Sequence, residues 1–120
     1  MKMSLEVDQM LLLGIATFPG TSGVDFARKV VEIVTTNPYP DYIKRTYYFK
    51  FGGDGGTLYT IFDIEKGKEE EALKDIGRRQ AQMMGSIEGY KCTLEPVYAA
   101  EEAFEMINMA APPGVRSTPS

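Results

Sequence analysis

The side chains best suited to ligand or proton chemistry in this sequence cluster between residues 44 and 65. They comprise an ammonium group, two phenols and two carboxylates: Lys44, Tyr48, Tyr59, Asp63 and Glu65. Together they could orient a small polar ligand, and they could transfer protons if burial moved one pKa towards neutrality. The same groups could instead form cross-strand ion pairs and aromatic contacts at an interface, and we favour that interpretation. If the protein does bind a ligand, these five residues are its candidate binding set, and we assign no catalytic residue.

Missing residue types exclude several chemistries. The chain has no histidine, which excludes imidazole mechanisms such as a catalytic triad, and also a haem bound through histidine. Its single cysteine, Cys92, leaves no thiolate or imidazole cluster for a transition metal. No aspartate-rich loop indicates a calcium or magnesium site. We expect no metal and no cofactor.

Charge and hydropathy favour a cytoplasmic protein that binds neither nucleic acid nor membrane. The formal net charge of −4 and the isoelectric point of about 4.8 disfavour contact with phosphate backbones or anionic lipid. The apolar stretch MLLLGIATF, residues 10–18, is too short to span a bilayer and lacks the basic flank of a signal peptide. The length of 120 residues fits one domain, predicted at residues 1–109, followed by a flexible tail at residues 110–120.

The glycine-rich segment GGDGG, residues 52–56, could be a phosphate-binding loop or a turn. A phosphate loop leads into a helix, whose amides and dipole converge on the anion. Here both flanking segments alternate as strands do, and Asp-Gly between such segments is a strong hairpin signal. We predict a hairpin whose two-residue turn is Asp54–Gly55. This register would pair Lys44 with Glu65 and Thr46 with Asp63.

Two amphipathic helices flank the hairpin in the sequence. The first begins after Ser22, a predicted N-cap, and ends before Pro38. Its predicted core stripe is Val24, Ala27, Val30, Val31 and Val34, widened by Phe26 and Ile33. The second helix lies within residues 65–89, and its predicted stripe is Leu73, Ile76, Met83, Met84 and Ile87.

Three arginines receive specific predictions. Arg78 and Arg79 are expected on the solvated face of the second helix. Arg45 lies on the otherwise apolar face of the hairpin, where it could bind a carboxylate ligand. The commoner arrangement, which we favour, is an arginine at a strand end that extends its charged group to solvent.

The order of the predicted elements is strand, helix, strand, strand, helix, strand, with a short third helix after residue 98. Two right-handed β-α-β crossovers then give an α+β protein of ferredoxin-like type. We expect a four-stranded antiparallel sheet with both long helices on one face. The first strand, residues 10–18, should lie in the middle, because it is apolar on both faces.

One face of such a sheet remains uncovered. Side chains of the first strand would reach it, together with Tyr48, Tyr59 and Ile61. An exposed apolar and aromatic face indicates a binding surface, and a second copy of the chain is its commonest cover. We predict a homodimer through this open face, with these three residues at the interface. Coverage by the chain's own C-terminal helix is the alternative.

The chain resembles the dimeric α+β barrel superfamily, most closely its small uncharacterised prokaryotic members. The resemblance covers roughly residues 9–107 and depends on the element order, the apolar first strand and the ending CTLEPVYAAEEAFEM, in which Pro96-Val97 precedes an acidic helix. It implies the ferredoxin-like fold and the dimer. The wider superfamily includes cofactor-free monooxygenases, haem enzymes, lactone isomerases and ligand-sensing domains. This chain lacks the histidine and tryptophan that several of those enzymes use.

These observations lead to one functional expectation and two alternatives. We expect a cytoplasmic homodimer that binds a small molecule or a protein partner without established catalysis, and we leave open whether it is an enzyme. The first alternative is a small cofactor-free enzyme similar to a monooxygenase or an isomerase. The second is a stand-alone ligand-sensing regulatory domain, which would need a partner chain. RNA binding ranks last, because the third strand, TLYTIFDIE, is acidic where an RNA-recognition domain is basic.

Overall fold

The computed structural model describes residues 9–52 and 54–115, and these residues form one sheet and three α-helices. A 3₁₀ turn at Gly20–Ser22 follows the first strand. In chain order the strands and α-helices are β1 (Gln9–Pro19), α1 (Gly23–Thr36), β2 (Ile43–Gly52), β3 (Gly55–Glu65), α2 (Glu69–Ser86), β4 (Lys91–Val97) and α3 (Ala100–Met106). Residues 116–120 of the predicted tail lie outside the described residues.

The four strands form one antiparallel sheet in the order β2-β3-β1-β4. β1 lies between β3 and β4, which explains why its sequence is apolar on both faces. It pairs with β3 along its whole length, from Gln9 opposite Glu65 to Pro19 opposite Gly55. The predicted α+β class, the four-stranded antiparallel sheet and the central first strand are therefore confirmed.

β2 and β3 form the predicted hairpin, but its turn lies one residue earlier than predicted. Gly52 pairs with Gly55, so residues 53 and 54 connect the strands. Gly55 belongs to the ladder because it also pairs with Pro19, where two backbones approach closely. A Cβ atom at Gly55 would lie 2.0 Å from the carbonyl oxygen of Phe18, so only glycine fits this position.

The corrected turn shifts the pairing partners by two residues. Lys44 lies opposite Asp63 rather than Glu65, and Thr46 lies opposite Ile61 rather than Asp63. Because side chains alternate with a period of two, this shift leaves each of them on its predicted face of the sheet. The predicted segregation of apolar and charged positions therefore survives the change in register.

The core lies between one face of the sheet and the two long helices. β3 alternates strictly, and its buried positions are Gly56, Leu58, Thr60, Phe62 and Ile64. One buried cluster joins this face to α1 and the end of α2: Ala16, Phe18, Phe26, Ile33, Leu58, Met83, Ile87 and Tyr90. A second cluster joins it to the start of α2: Leu12, Ile43, Phe62, Ile64, Ala72 and Ile76. Cys92 packs against the first cluster.

The predicted helix stripes are rotated relative to the observed ones. In α1, Phe26 and Ile33 are buried, whereas Val24 is 65% exposed and Val31 is 63% exposed. In α2, the buried positions are Ala72, Ile76, Arg79 and Met83, and both Leu73 and Met84 are exposed. Each helix therefore buries a stripe beside the most apolar one, because its orientation depends on packing against the sheet and the other helix.

Ser22 and the third helix contribute little to this core. The predicted Ser22 cap is not formed by its side chain; the hydroxyl instead donates a hydrogen bond to the carbonyl of Glu88 at 3.2 Å. The third helix, α3, contains no buried residue, and neighbouring Tyr98 and Ile107 are exposed. Within the described part of the chain, no helix is both long and apolar enough to cross a membrane.

Candidate ligand-binding site

The residues predicted from the sequence lie together on the open face of the sheet. Lys44 and Asp63 are cross-strand partners, and so are Tyr48 and Tyr59. Burial raises the pKa of the Asp63 carboxyl, and the nearby charge of Lys44 partly offsets that increase. Glu65 is exposed at the end of β3, two residues beyond Asp63. The oppositely charged pair Lys44 and Asp63 thus lies two cross-strand pairs away from the aromatic pair Tyr48 and Tyr59 on the same face.

The predicted interface residues form the centre of the same face. Ile61 lies opposite Thr46 on one side and Leu13 on the other, and Tyr59 lies opposite Ile15. These β1 and β3 side chains are half-buried in the single chain, whereas Tyr48 is 47% exposed. An apolar centre that remains open to solvent suits a protein interface better than an enclosed reaction site.

A second cluster, which the sequence did not predict, lies on the helix-covered face. The ring of Tyr39, in the segment between α1 and β2, contacts two guanidinium groups. The Cζ of Arg45 on β2 is 4.0 Å from the ring centroid, and the Cζ of Arg79 on α2 is 3.8 Å from it. Such distances are typical of cation–π contacts. We call Tyr39, Arg45 and Arg79 the arginine cluster.

Arg79 is buried, contrary to the predicted solvated position. Only 5% of its surface is exposed. Its Nε donates to Oδ2 of Asp75 at 2.8 Å, and its Nη2 donates to the carbonyl of Pro38 at 3.1 Å. These bonds hold the guanidinium in place, but its buried Nη1 has no hydrogen-bond partner among the described residues. The adjacent Arg78 does have a mostly exposed side chain, as predicted.

Arg45 also differs from its favoured prediction. Its side chain does not simply extend to solvent: Nε and Nη1 are both buried and have no hydrogen-bond partner among the described residues. Its guanidinium lies over Tyr39 and also 5.8 Å from the ring centroid of Tyr47. The carboxylate of Asp75 therefore balances one of the two guanidinium charges, and one positive charge remains in the cluster.

A cavity of about 60 Å³ lies beside the arginine cluster, between the helices and the sheet. That volume exceeds the roughly 10–15 Å³ that one water needs, but it is far below the roughly 300–1,000 Å³ of a typical ligand pocket. The polar residues that line it are Tyr39, Tyr47, Thr60, Arg79, Gln80 and Tyr90. The cavity alone therefore has room for a small polar group rather than for a whole organic ligand.

The phenols around this cavity are held in their protonated form. Burial raises the pKa of Tyr39 to about 12, and it also raises the pKa of Tyr47, although neighbouring arginines oppose both increases. Burial likewise raises the pKa of Tyr90, whose hydroxyl donates a hydrogen bond to Oε1 of Gln80. Protonated phenols donate hydrogen bonds but do not act as bases near neutral pH.

A larger apolar groove runs between α1 and the β2–β3 hairpin. Its volume is about 1030 Å³, at the upper end of the range for ligand pockets. Val24, Val31, Phe49 and Phe51 line it and are exposed, and Phe51 is 75% exposed. The rings of Phe49 and Phe51 are nearly parallel, with centroids 5.8 Å apart. The valines that were predicted as core of α1 thus form a wall of the groove.

The groove and the cavity are neighbours. Phe26 and Val30 of α1 line both of them. The helix-facing side of β2 also connects them, since Tyr47 lines the cavity whereas Phe49 and Phe51 line the groove. Alternate residues of a strand share a face, so β2 presents one continuous row from Arg45 to Phe51. The row is cationic at one end and apolar at the other.

Comparisons with known proteins add no relative to this description. No family model, no curated protein and no solved structure matches the chain. Among residues 9–52 and 54–115, no group of three or more histidine, cysteine, aspartate or glutamate side chains could hold a metal ion. The open face, the arginine cluster, the cavity and the groove are therefore the features from which a function can be inferred.

A sequence signal for the arginine cluster does exist in retrospect. Arg45 interrupts the apolar side of β2, and Arg79 continues the helical spacing of Ala72, Ile76 and Met83. A cation within an apolar stripe indicates either a long side chain that reaches solvent or a buried, functional charge. Only the three-dimensional placement of Tyr39 between α1 and β2 distinguishes these possibilities.

Proposed function

We propose that this protein is a homodimer of the ferredoxin-like, dimeric α+β barrel type that binds a small, mainly apolar organic molecule without catalysis. The observation that carries the proposal is the apolar groove of about 1030 Å³, which adjoins a polar cavity. A concave apolar site with a few polar groups at one end is the usual form of a small-molecule site.

The strand order supports the fold part of this proposal. β1 and β2 are both antiparallel to β3, so they are parallel to one another, and β3 and β4 are parallel because each is antiparallel to β1. Each parallel pair is connected through a helix, α1 or α2. Two interleaved β-α-β units of this kind are the expectation for a ferredoxin-like protein.

The open face supports the dimer part. The centre of the face is apolar, with Leu13, Ile15 and Ile61 in neighbouring strands. A charged border surrounds it, including the Lys44–Asp63 row. An apolar centre with a polar rim is the usual anatomy of a protein interface. We propose that Tyr48, Tyr59 and Ile61 lie in that interface and that Lys44, Asp63 and Glu65 lie towards its rim.

The ligand site can be tested with a neutral fluorescent probe, N-phenyl-1-naphthylamine, which is apolar and carries no charge. We expect saturable binding to the wild type and at least about tenfold weaker binding to Phe51→Glu, because a charge would enter the apolar groove. Met106→Glu is the matched control, since Met106 is an exposed apolar residue of α3. Equal binding by all three proteins would contradict a site in the groove.

A cofactor-free enzyme is the second candidate, and one observation favours it. Asp63 has a raised pKa beside Lys44 and is thus the carboxylate best suited to accept a proton. This candidate requires the dimer to enclose the open face, because catalysis by a carboxylate of this kind depends on exclusion of water. Asp63→Asn would abolish such an activity while it leaves probe binding in the groove unchanged.

A further inference from the structure

We propose that the ligand of the groove is an amphiphilic carboxylate, whose negatively charged headgroup binds the arginine cluster while its apolar tail occupies the groove. This inference rests on the proposed function, since it specifies the chemistry of the same ligand site. It starts from an imbalance on the helix-covered face, where buried donors exceed the acceptors that contact them. It assigns roles to Arg45 and Arg79 that neither residue was expected to have.

Arg79 has the geometry of a preorganised anion-binding residue. Asp75 holds its Nε and the carbonyl of Pro38 holds its Nη2, so the guanidinium cannot rotate freely. Its remaining nitrogen, Nη1, is buried and lacks a partner among the described residues, and Arg79 lines the cavity. A buried donor without an acceptor is costly, and a bound carboxylate oxygen would remove that cost.

Arg45 supplies a second cation against the same Tyr39 ring, beside the cavity rather than in its lining. Both guanidinium carbons lie within 4.0 Å of the Tyr39 ring centroid, so they are no more than about 8 Å apart. Nε and Nη1 of Arg45 are buried without a partner, as Nη1 of Arg79 is. Two nearby cations with three unpaired donor atoms suit a group that has several acceptor sites, such as a carboxylate.

The charge balance favours a singly charged anion. Asp75 compensates one of the two guanidinium charges, which leaves one positive charge to be neutralised. Asp75 also contacts Arg78, whose Nη1 is 3.7 Å from Oδ1 of Asp75. The Arg78 side chain is mostly exposed, so solvent screens its charge. A monoanion would therefore bring Arg45, Arg79 and Asp75 together to zero net charge. A doubly charged phosphate monoester would leave an excess negative charge.

The size of the cavity agrees with a headgroup rather than a whole ligand. About 60 Å³ accommodates a carboxylate and little more. The remainder of the ligand must extend from the cavity into the groove beside Phe26 and Val30, which line both. Beyond them, β2 rises about 13 Å over the four residue steps from Tyr47, which lines the cavity, to Phe51, which lines the groove. A medium-length alkyl or aryl tail fits that distance.

The decisive experiment compares octanoate with 1-octanol, which has the same chain length but no charge. Isothermal titration calorimetry at pH 7 would measure both ligands against the wild type, Arg79→Gln, Arg45→Gln and Arg78→Gln. Arg78→Gln is the matched control, because it removes the same charge from the adjacent, mostly exposed residue. Thermal melts would show that each variant is folded before its affinity is interpreted.

We expect the wild type to bind octanoate at least about tenfold more tightly than 1-octanol, as one charge-assisted hydrogen bond provides. Arg79→Gln and Arg45→Gln should each remove most of the preference for octanoate without weakening the binding of 1-octanol. Arg78→Gln should retain that preference. The wild-type comparison is decisive even if a variant fails to fold.

Two other outcomes are informative in different ways. Equal affinity of the wild type for octanoate and 1-octanol would overturn the headgroup assignment and would leave the apolar groove as a binding site. Failure of the wild type to bind either ligand would overturn both the headgroup assignment and the proposed function. The groove would then be a docking surface for another chain, such as the C-terminal segment of a second copy.

Discussion

The two faces of the sheet combine burial and polarity in opposite ways. The helix-covered face buries Phe62 and Ile64 almost completely, yet it also contains the buried cation Arg79. The open face has an apolar centre around Leu13 and Ile61, yet it remains accessible to solvent. A buried charge and an exposed apolar surface are both unfavourable in isolation. The partners that we propose differ accordingly: an anion for the first face and a second copy of the chain for the second.

The physical causes of the two arrangements differ. On the helix-covered face, α2 carries Asp75 and Arg79 four residues apart, so the helix itself pairs part of the charge that it buries. On the open face, the strands alternate, and their second set of side chains points away from the helices regardless of what could cover it. We therefore propose that the first face binds a small molecule within one chain and that another chain covers the second.

The largest effect that tests this contrast comes from neighbouring residues of β3. Phe62 is 3% exposed and belongs to the helix-covered face, so Phe62→Ala should lower the free energy of unfolding by about 3–5 kcal/mol. Ile61→Ala, on the open face, should lower the free energy of unfolding by less. That loss should depend on protein concentration, because the proposed dimer contributes to stability. Urea denaturation at two protein concentrations measures both. Equal losses that are independent of concentration would contradict a functional difference between the faces.

The next effect concerns assembly. Ile61→Asp would place a charge at the centre of the proposed interface and should weaken dimerisation at least about a hundredfold. Light scattering should show a wild-type mass of twice 13.3 kDa and a variant mass of 13.3 kDa. Gln82→Asp, on an exposed position of α2, is the control and should remain dimeric. A monomeric wild type would refute the dimer and would make the open face itself a candidate for ligand binding.

A smaller effect tests whether the charges on the helix-covered face are energetically coupled. Asp75→Asn removes the carboxylate that holds Arg79 and leaves a buried guanidinium uncompensated, so it should cost about 2 kcal/mol. Glu70→Gln removes an exposed carboxylate that pairs with Lys74 on the same helix, and it should cost less than about 0.5 kcal/mol. Thermal or urea unfolding measures both, and similar costs would show that Asp75 is effectively solvated.

The last effect is a dependence on alkaline pH. The raised pKa of Tyr39 means that the folded state retains the phenolic proton more tightly than the unfolded state does. This contribution to stability is complete below pH 10 and is lost between about pH 10 and pH 12, at up to about 1.4 kcal/mol per pH unit. The absorbance difference between wild type and Tyr39→Phe should show one phenol that titrates near pH 12. A transition near pH 10 would show that Tyr39 is hydrated.

Much of the architecture could be predicted from the sequence because it depends on local patterns. The period-two alternation of β2 and β3 and the Asp-Gly signal predicted the hairpin, and the two-sided apolar pattern of β1 predicted its central position. The register was wrong by two residues, because the close approach of Gly55 to Phe18 involves a strand far away in the sequence. Alternation is unchanged by such a shift, so the faces were still correct.

The candidate site was harder to predict, and the reason is geometric. The set Lys44, Tyr48, Tyr59, Asp63 and Glu65 follows from strand alternation, and the structure brings most of it together. The arginine cluster instead requires a loop, a strand and a helix to meet at Tyr39. Helix orientation decides whether Arg79 or Leu73 is buried, and the apolar stripe of α2 is too broad to distinguish them. Ligand binding by the open-face set stays a prediction.

The sequence by itself determined the element types, the α+β class, the central strand and the two faces of each strand, since all of these depend on neighbouring residues and their periodicity. The absence of histidine also excluded imidazole mechanisms and haem binding through histidine for this sequence. Only the tertiary structure decided the hairpin register, the rotation of both helices, the burial of Arg79 and of two Arg45 nitrogens, and the groove that the α1 valines line. These features arise from packing between distant segments, where small rotations exchange a buried side chain for an exposed one.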